Sequence, residues 1–438
     1  MHSKKQIHLA QFLVHGPTYQ SHAMWRHPET IKAGYDWQQA KLYEHIARTC
    51  ERGKFDMLFF ADLNYISDSF RGSIEPALKY GSQVPSHDPI PLITWLGAVT
   101  SRIGLASTFS TSHVHPFHVA RMWATIDHLT NGRSGWNVVT SVNHNQAANY
   151  GEKLEPAETR YEKAHEYFEV CRRLWESWEE GALVCDYEMP MLVNPEKVRR
   201  INFEGKYFKS RGPLNVTRSP QNGPLIIQAG TSPKGRDFAA RYAEGVFAIQ
   251  PQRKEAKKYR DDIRNRVQNF GRDPDECKVL FGAQAIIGET EEEAFDKLTE
   301  HNSLVEAEAG MTVMSAHLNF DLSELPPHSI MEEHQAPELQ RMKTRYRDDW
   351  GRPLTVEEVA QKHGQSVGVP QFFGTPETIT DKMLEFIDDI GGDGFVLSPI
   401  YMPGSIDEFV NLVVPELQKR GRFREEYTGK MLREHLRG

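Results

Sequence analysis

Apolar residues along the chain fall into short continuous runs that alternate with segments of helical period. Ile7–Val14, Lys54–Asp62, Ile103–Ser110, Gly135–Ser141, Pro224–Gln228, Glu244–Gln250, Val279–Gly288 and Gly394–Ile400 each read as a strand. A short run without a polar face is how a strand reads when both faces are buried in a parallel sheet. Between these runs, Trp37–Arg52, Pro89–Thr100, Pro116–Leu129 and Arg160–Trp178 have helical period. In the last, Tyr161, Ala164, Phe168, Cys171, Trp175 and Trp178 share one face at spacings of three and four. Leu183–Pro220 is irregular, rich in Pro, Asn and Gly, and Ile406–Lys419 predicts a closing amphipathic helix.

Eight strands alternating with helices predict an α/β fold, a (β/α)8 TIM barrel, as a single domain over residues 1–438. Residues 301–370 interrupt the pattern between strand 7 and the following barrel helix. They are too long for a βα connection. The expectation is a partly helical insertion that lies over the C-terminal mouth of the barrel as a lid.

Barrel enzymes keep their chemistry at the C-terminal ends of the strands. Here those ends carry His15, Asp62, Thr108–Ser112, Thr140, Ser141, Gly230–Ser232, Phe247–Gln250 and Ser398. One of them stands out, in GPLIIQAGTSPKGRDFAA at Gly223–Ala240. A buried strand runs into the small-residue turn Ala229-Gly230-Thr231. Ser232 then suits an N-cap and Pro233 the first helical position. Backbone N–H groups and the positive end of a helix dipole converge there, which suits a phosphate. An ordinary capped βα loop has the same pattern, and the pattern alone leaves both readings open.

Composition narrows the partners. The net charge is −8 and no basic cluster is interleaved with aromatics, which argues against nucleic acid. The four cysteines are widely spaced with no CxxC pair, which argues against a disulfide framework or structural zinc and for a reducing cytoplasm. No apolar run approaches the roughly 20 residues of a membrane span, and the N-terminus lacks a signal-peptide core. Strand 1 has no HxH pair. His113 and His115 alternate in SHVHP, but no ligand set for a metal converges with them, and none is expected. No Gly-x-Gly-x-x-Gly follows a strand and there is no Gly-x-Ser-x-Gly elbow, so a redox cofactor would have to bind at the barrel mouth.

Longer motifs carry a resemblance. WRHP at Trp25–Pro28, ERGKFD at Glu51–Asp56, ATIDHLTNGRSGWNVVTS at Ala124–Ser141, RYEKAHEYFEV at Arg160–Val170, SPQNGPLIIQAGTSPKGRDFAA at Ser219–Ala240 and VVPELQKRG at Val413–Gly421 resemble one group of flavin monooxygenases. The group belongs to the bacterial-luciferase-like superfamily and holds nitrilotriacetate monooxygenase component A, dibenzothiophene-sulfone monooxygenase and long-chain alkane monooxygenase. The resemblance covers essentially the whole chain.

It implies an oxidoreductase that takes FMN as FMNH2 from a separate NAD(P)H:flavin reductase, activates O2 as a flavin (hydro)peroxide and oxygenates or cleaves a small organic substrate. It also implies a homodimer or homotetramer. By position, the flavin phosphate is expected on Ala229, Gly230, Thr231 and Ser232, with Tyr161 and Ser141 completing the site. Asp62 and Thr108 are expected beside the isoalloxazine and ribityl region. The resemblance assigns catalytic roles to His22 and His317 and a pocket involving Phe59 and Phe247. Tyr19, Gln20, Tyr65 and Ile249 are further pocket candidates, and Gln20 stands where a relative has histidine. Alternatives are a flavin-degrading lyase of the same group, a deazaflavin-dependent reductase on the same barrel and a non-enzymatic flavin-binding protein.

Overall fold

The computed structural model describes residues 5–340, 342, 346 and 351–437. Eight strands form the barrel: β1 (His8–Val14), β2 (Met57–Ala61), β3 (Gly104–Ser110), β4 (Ser134–Val139), β5 (Leu225–Gln228), β6 (Gly245–Ala248), β7 (Lys278–Ile287) and β8 (Gly394–Leu397). Each pairs in parallel with the next, and β8 returns to β1 with Leu9 opposite Phe395, so the sheet closes. Closure leaves no unpaired barrel edge and buries both faces of the strands, which is why their sequences read as unbroken apolar runs.

Several strands end sooner than the apolar runs suggest. β4 stops at Val139 because Ser141 adopts a left-handed backbone (φ 45°), which no strand residue can hold. Ile249 and Ser398 likewise lie in the loops beyond β6 and β8. Two helices place the candidate phosphate site: α1 (Ala157–Trp175) between β4 and β5, and α2 (Pro233–Tyr242) directly after β5. The closing helix is broken by a π turn at Phe409–Val413, just ahead of Pro415. Proline lacks the N–H that an α-helical ladder needs there, and the wider turn accommodates its ring. A C-terminal tail then crosses beneath the barrel. Glycines at the strand starts leave room for it: a Cβ on Gly104 would lie within 2.4 Å of Leu432.

The excursion after β7 begins earlier than residue 301, with a helix over Glu291–Ser303. It continues through α3 (Ala307–Leu318) and α4 (Val356–Ser366). It ends in a short strand, Gln371–Gly374, that adds in parallel to the overhanging end of β7. The barrel helix Pro376–Ile390 follows. α3 and α4 cross closely: a Cβ on Gly310 would meet the Ala360 carbonyl oxygen at 2.2 Å, so only glycine fits the crossing. The excursion has a core of its own, including Met314, Leu322, Met331, Leu354 and Val359, to which Phe70 from the loop after β2 contributes.

Candidate functional site

The turn after β5 is built as its sequence implies. Ser232 is extended (φ −69°, ψ 156°) and its Oγ accepts from the Gly235 N–H at 3.1 Å, capping α2. The Gly230 N–H bonds the Gln228 side chain, while the Tyr259 hydroxyl donates to the Gly230 carbonyl at 2.8 Å and Arg236 Nε to the Thr231 carbonyl at 3.0 Å. These bonds fix the turn while Thr231 and Ser232 stay exposed. Tyr161, from α1, reaches the same point. A Cβ on Gly235 would lie 2.6 Å from the Tyr161 hydroxyl, 3.1 Å from Gly230 Cα and 3.2 Å from Ser232 Oγ. Two hydroxyls and the first turn of a helix therefore converge, a donor set that fits a phosphate dianion.

Ser141 is tied to this corner through α1. Its carbonyl accepts from Arg160 Nη1 at 3.0 Å, and its Oγ lies 2.6 Å from Ser110 Oγ. Ser141 and Arg160 line a cavity of about 440 Å³. Thr108 lies deeper. Its hydroxyl donates to the Phe60 carbonyl (3.0 Å) and accepts from Asn137 Nδ2 (2.8 Å). Asn137 Oδ1 is buried without a partner. Sequence reasoning passed over Asn137, although one amide inside the apolar run of β4 was a visible signal.

Asp62 directly follows β2, half-buried, in a cavity of about 160 Å³ shared with Asp88, Ser110, His113 and Tyr150. Burial pushes its carboxyl up to about 7, and the neighbouring Asp88 charge adds to the shift. A group at this value exchanges a proton near neutral pH. His113 stacks on Tyr150 with ring centroids 4.1 Å apart and bonds Glu152, whereas His115 caps the helix Pro116–Leu129. The two histidines therefore have separate structural duties.

Aromatic rings gather at the strand ends. Phe59 and Phe247 are 5.5 Å apart between centroids, and both pack on Phe12, at 6.1 and 5.9 Å. Tyr19 meets Phe12 edge-on at 6.5 Å. Phe12 belongs to this wall and was not singled out in the sequence. Ile249 packs half-buried against the same core. Tyr65 is not part of the wall. It lines an outer cavity of about 660 Å³ with Asn64, Asn145 and Asn149, and burial pushes its hydroxyl up to about 12.

Above the aromatic wall the loop after β1 carries Tyr19, Gln20 and His22, all buried. Gln20 Oε1 and both ring nitrogens of His22 lack partners. Unpaired buried polar atoms are costly, and such a group is expected to meet a ligand. Burial, with His317 nearby, drives His22 down to about 3, so its ring is neutral at physiological pH. The His22 N–H donates to the Gly364 carbonyl of α4 at 3.0 Å, which joins this loop to the excursion. His317, on α3, is differently placed. Its Nδ1 lies 2.9 Å from His363 Nε2, and its Nε2 accepts from Gln83 Nε2 at 2.9 Å. His363 Nδ1 in turn lies 2.7 Å from the Tyr346 hydroxyl. Both nitrogens of His317 are thus engaged by protein groups. Gln83, His363 and Tyr346 had not been picked out in the sequence, because their proximity depends on how the excursion folds back.

The arrangement gathers donors that suit a phosphate at one edge and presents apolar rings with unpaired polar atoms at the centre. The anchor fits FMN by its donors, and the interior fits a flat ring system with a polar edge by its orphaned acceptors and neutral imidazole. Comparisons with known proteins bear on the same point. A family model described as luciferase-like monooxygenase matches residues 21–394. A dibenzothiophene-sulfone monooxygenase of Rhodococcus erythropolis (strain XP) is 39% identical, over 100% of this chain and 97% of that protein. Component A of the nitrilotriacetate monooxygenase of Aminobacter aminovorans is 36% identical, over 100% of this chain and 97% of its own length. A solved riboflavin lyase, with modified FMN and riboflavin, superposes with a TM-score of 0.91 at 30% identity, over 99% of this chain and 96% of that one.

Proposed function

The chain belongs to the luciferase-like monooxygenase family, and from that premise we propose that it is the oxygenase of a two-component system. In this reading it takes FMNH2 from a separate NAD(P)H:flavin reductase and uses O2 to oxygenate or cleave a small organic substrate. The observation that carries the reading is the meeting of the Tyr161 hydroxyl, Ser232 Oγ and the first turn of α2 around Gly235. Ser232 and Tyr161 hold the phosphate, and the turn at Ala229–Thr231 offers its backbone. Ser141 closes the corner. Reduced FMN, when bound, supplies the electrons that activate O2.

The remaining residues orient and protect. Phe12, Phe59 and Phe247 form an apolar wall that excludes water from the reacting centre. Asp62, poised near neutrality, holds or gives up a proton at the edge of the pocket. His22, neutral and unpartnered, is the ring that donates or accepts a hydrogen bond to substrate or oxygen at its free nitrogens. His317, fixed between Gln83 and His363, supports the roof that the excursion forms over the mouth as a lid. Among the described residues no helix is long and apolar enough to cross a membrane. All four cysteines are unpaired, which suits a reducing cytoplasm.

The protein as purified should bind FMN, and bind it more tightly when reduced. NADH or NADPH should not reduce bound FMN until a flavin reductase is added. Stoichiometric reduction by NADH alone would overturn the two-component reading. The likeness to the riboflavin lyase supports one second reading, in which a flavin is itself the substrate. Loss of riboflavin under FMNH2 and O2, with no other substrate consumed from a compound panel, would select it.

A further inference from the structure

Resting on the oxygenase reading above, we propose that Gln284 and Ser398, at the edge of the mouth made by β7 and β8, determine specificity: they hold an uncharged carboxamide head of the substrate, whose apolar body lies on the wall of Phe12, Phe59 and Phe247. Both residues face inward. Side chains two apart in a strand share a face, and directly paired residues of neighbouring parallel strands share it too. Phe247 is opposite Leu280, and a Cβ on Gly282 would lie 3.1 Å from the Phe247 ring, so the inward face of β7 continues through Gly282 to Gln284. Gly282 is opposite Val396 of β8, which sets Ser398 beside Gln284 two residues further on. The Ser398 N–H donates to the Ala283 carbonyl at 2.8 Å and keeps that register beyond the end of the strand. Gln11 of β1 is opposite Leu397, so Phe12 is the next neighbour of Ser398.

Hydrogen bonds fix which atoms of this edge stay free. Gln284 Oε1 accepts from Gln371 Nε2 at 2.9 Å. The same nitrogen donates to Asn302 Oδ1 at 3.0 Å, and Asn302 Nδ2 donates back to Gln371 Oε1 at 3.2 Å. The Gln284 amide is thereby turned with its nitrogen free. Gln284 Nε2 and Ser398 Oγ are buried without a partner among the described residues. The chain of amides also reaches the loop that bears His22. Gln365 Nε2 donates to the Asn302 carbonyl at 3.2 Å, and the neighbouring Gly364 carbonyl accepts from the His22 N–H at 3.0 Å. On that loop Gln20 Oε1 is a buried acceptor without a partner, the complement of the Gln284 donor.

These atoms specify the head. A free amide N–H calls for a carbonyl oxygen, a free amide oxygen calls for an N–H, and the Ser398 hydroxyl serves either. A carboxamide offers both on one carbon. Phe12, Gln20, Phe247, Gln284 and Ser398 carry no charge, and a buried ion without a counter-charge is costly, which disfavours a carboxylate head. In a ring of eight strands β8 stands opposite β4, so this edge faces Thr108 and Asn137 across the mouth and lies apart from the proposed phosphate corner after β5.

The test reads binding to the full chain, with and without FMN, by ligand-observed NMR. The probes are phenylacetamide, its hydrocarbon isostere isobutylbenzene and the anion phenylacetate, and the same heads on a hexyl chain. The amides should bind more tightly than either counterpart, because a hydrocarbon leaves the buried polar atoms unpaired. Ser398→Ala breaks no side-chain hydrogen bond among the described residues. It should weaken the amides about three- to tenfold and shift the hydrocarbons less than about twofold. Gln284→Met should act in the same direction; it also unties Gln371, and thermal melting checks that it folds, with Ser398→Ala carrying the test if it does not. FMN affinity should stay within about twofold of the wild type in both variants. Amides that bind no better than hydrocarbons or carboxylates, or variants that weaken every probe alike, would overturn the subsite, while intact FMN binding left the oxygenase reading in place. Amide selection that depends on Gln284 and Ser398 in a protein that fails to bind FMN would uphold the subsite and defeat the oxygenase reading.

Discussion

Gly235→Ala tests the phosphate corner more sharply than removal of a ligand. The glycine is buried in the first turn of α2, where alanine should favour the helix by about 1 kcal/mol. The added methyl, however, would lie 2.6 Å from the Tyr161 hydroxyl. A carbon–oxygen contact needs roughly 3.4 Å, so the hydroxyl must retreat by about 0.8 Å, out of the range of a good hydrogen bond. Losing one charge-assisted bond to a phosphate costs about 1.5–3 kcal/mol, or roughly ten- to a hundredfold in the FMN dissociation constant. Riboflavin has no phosphate and should lose less than about threefold. Flavin fluorescence titration of both ligands measures the two effects, and thermal melting of the apo-protein reports the small stability change. Tyr161→Phe removes the hydroxyl without a clash. The double variant should be no weaker than Tyr161→Phe alone, because the same bond cannot be lost twice. Equal losses for FMN and riboflavin, or full additivity in the double variant, would refute the assignment of Tyr161 to the phosphate.

The other predictions concern the interior. His22→Gln should cut turnover by about 10²-fold or more while FMN affinity stays within about threefold, because the proposed phosphate anchor lies elsewhere. His317→Ala should release more hydrogen peroxide per FMNH2 consumed than the wild type, and turnover with wild-type coupling would show that it has no part in the roof. Asp62 has its carboxyl raised to about 7 in the fold, so the fold keeps a proton that the unfolded chain loses near pH 4. Its contribution is complete at acid pH and is lost as pH rises through 7. Asp62→Asn should therefore be more stable than wild type at pH 8, by ~2–4 kcal/mol, and match it near pH 4. Chemical denaturation at the two pH values measures the difference, and a constant offset would show that Asp62 is not the titrating group.

The barrel was legible because closure imposes one rule on every strand. Both faces are buried, so the sequence shows an apolar run wherever a strand lies. The turn at Ala229–Ser232 was legible for a local reason, since a cap, a proline and small residues act within five positions. Tyr161 needed the resemblance as well as the helix period, because its hydroxyl meets Gly235 across 74 positions of sequence. What was hidden depends on tertiary return. Phe12 looked like any strand residue until Phe59 and Phe247 closed on it. Gln83 and His363 carry no pattern that points at His317. The tail that sets Leu432 under Gly104 follows a helix that had looked like the end of the structure. Tyr65, read as a pocket residue from its aromatic character, lines a cavity with Asn64, Asn145 and Asn149 and makes no ring contact with Phe12, Phe59 or Phe247.

The distribution of hydrogen bonds separates the turn after β5 from the loop that bears His22. Around the phosphate corner the supporting groups are satisfied locally: Gly230 is held by Gln228 and Tyr259, and Thr231 by Arg236. Those partners come from β5, from the helix Arg253–Asn269 and from α2. The loop bearing His22 is different. Its backbone bond to Gly364 comes from α4, and its ring nitrogens are unpaired. α4 is itself held against α3 at the Gly310 crossing, and His363 on α4 fixes His317 on α3. Movement of the two-helix unit would therefore shift the His22 loop and the His317 ring together, while Ser232 and Tyr161 kept their places. The alignment of His22 therefore depends on α4, which carries Gly364.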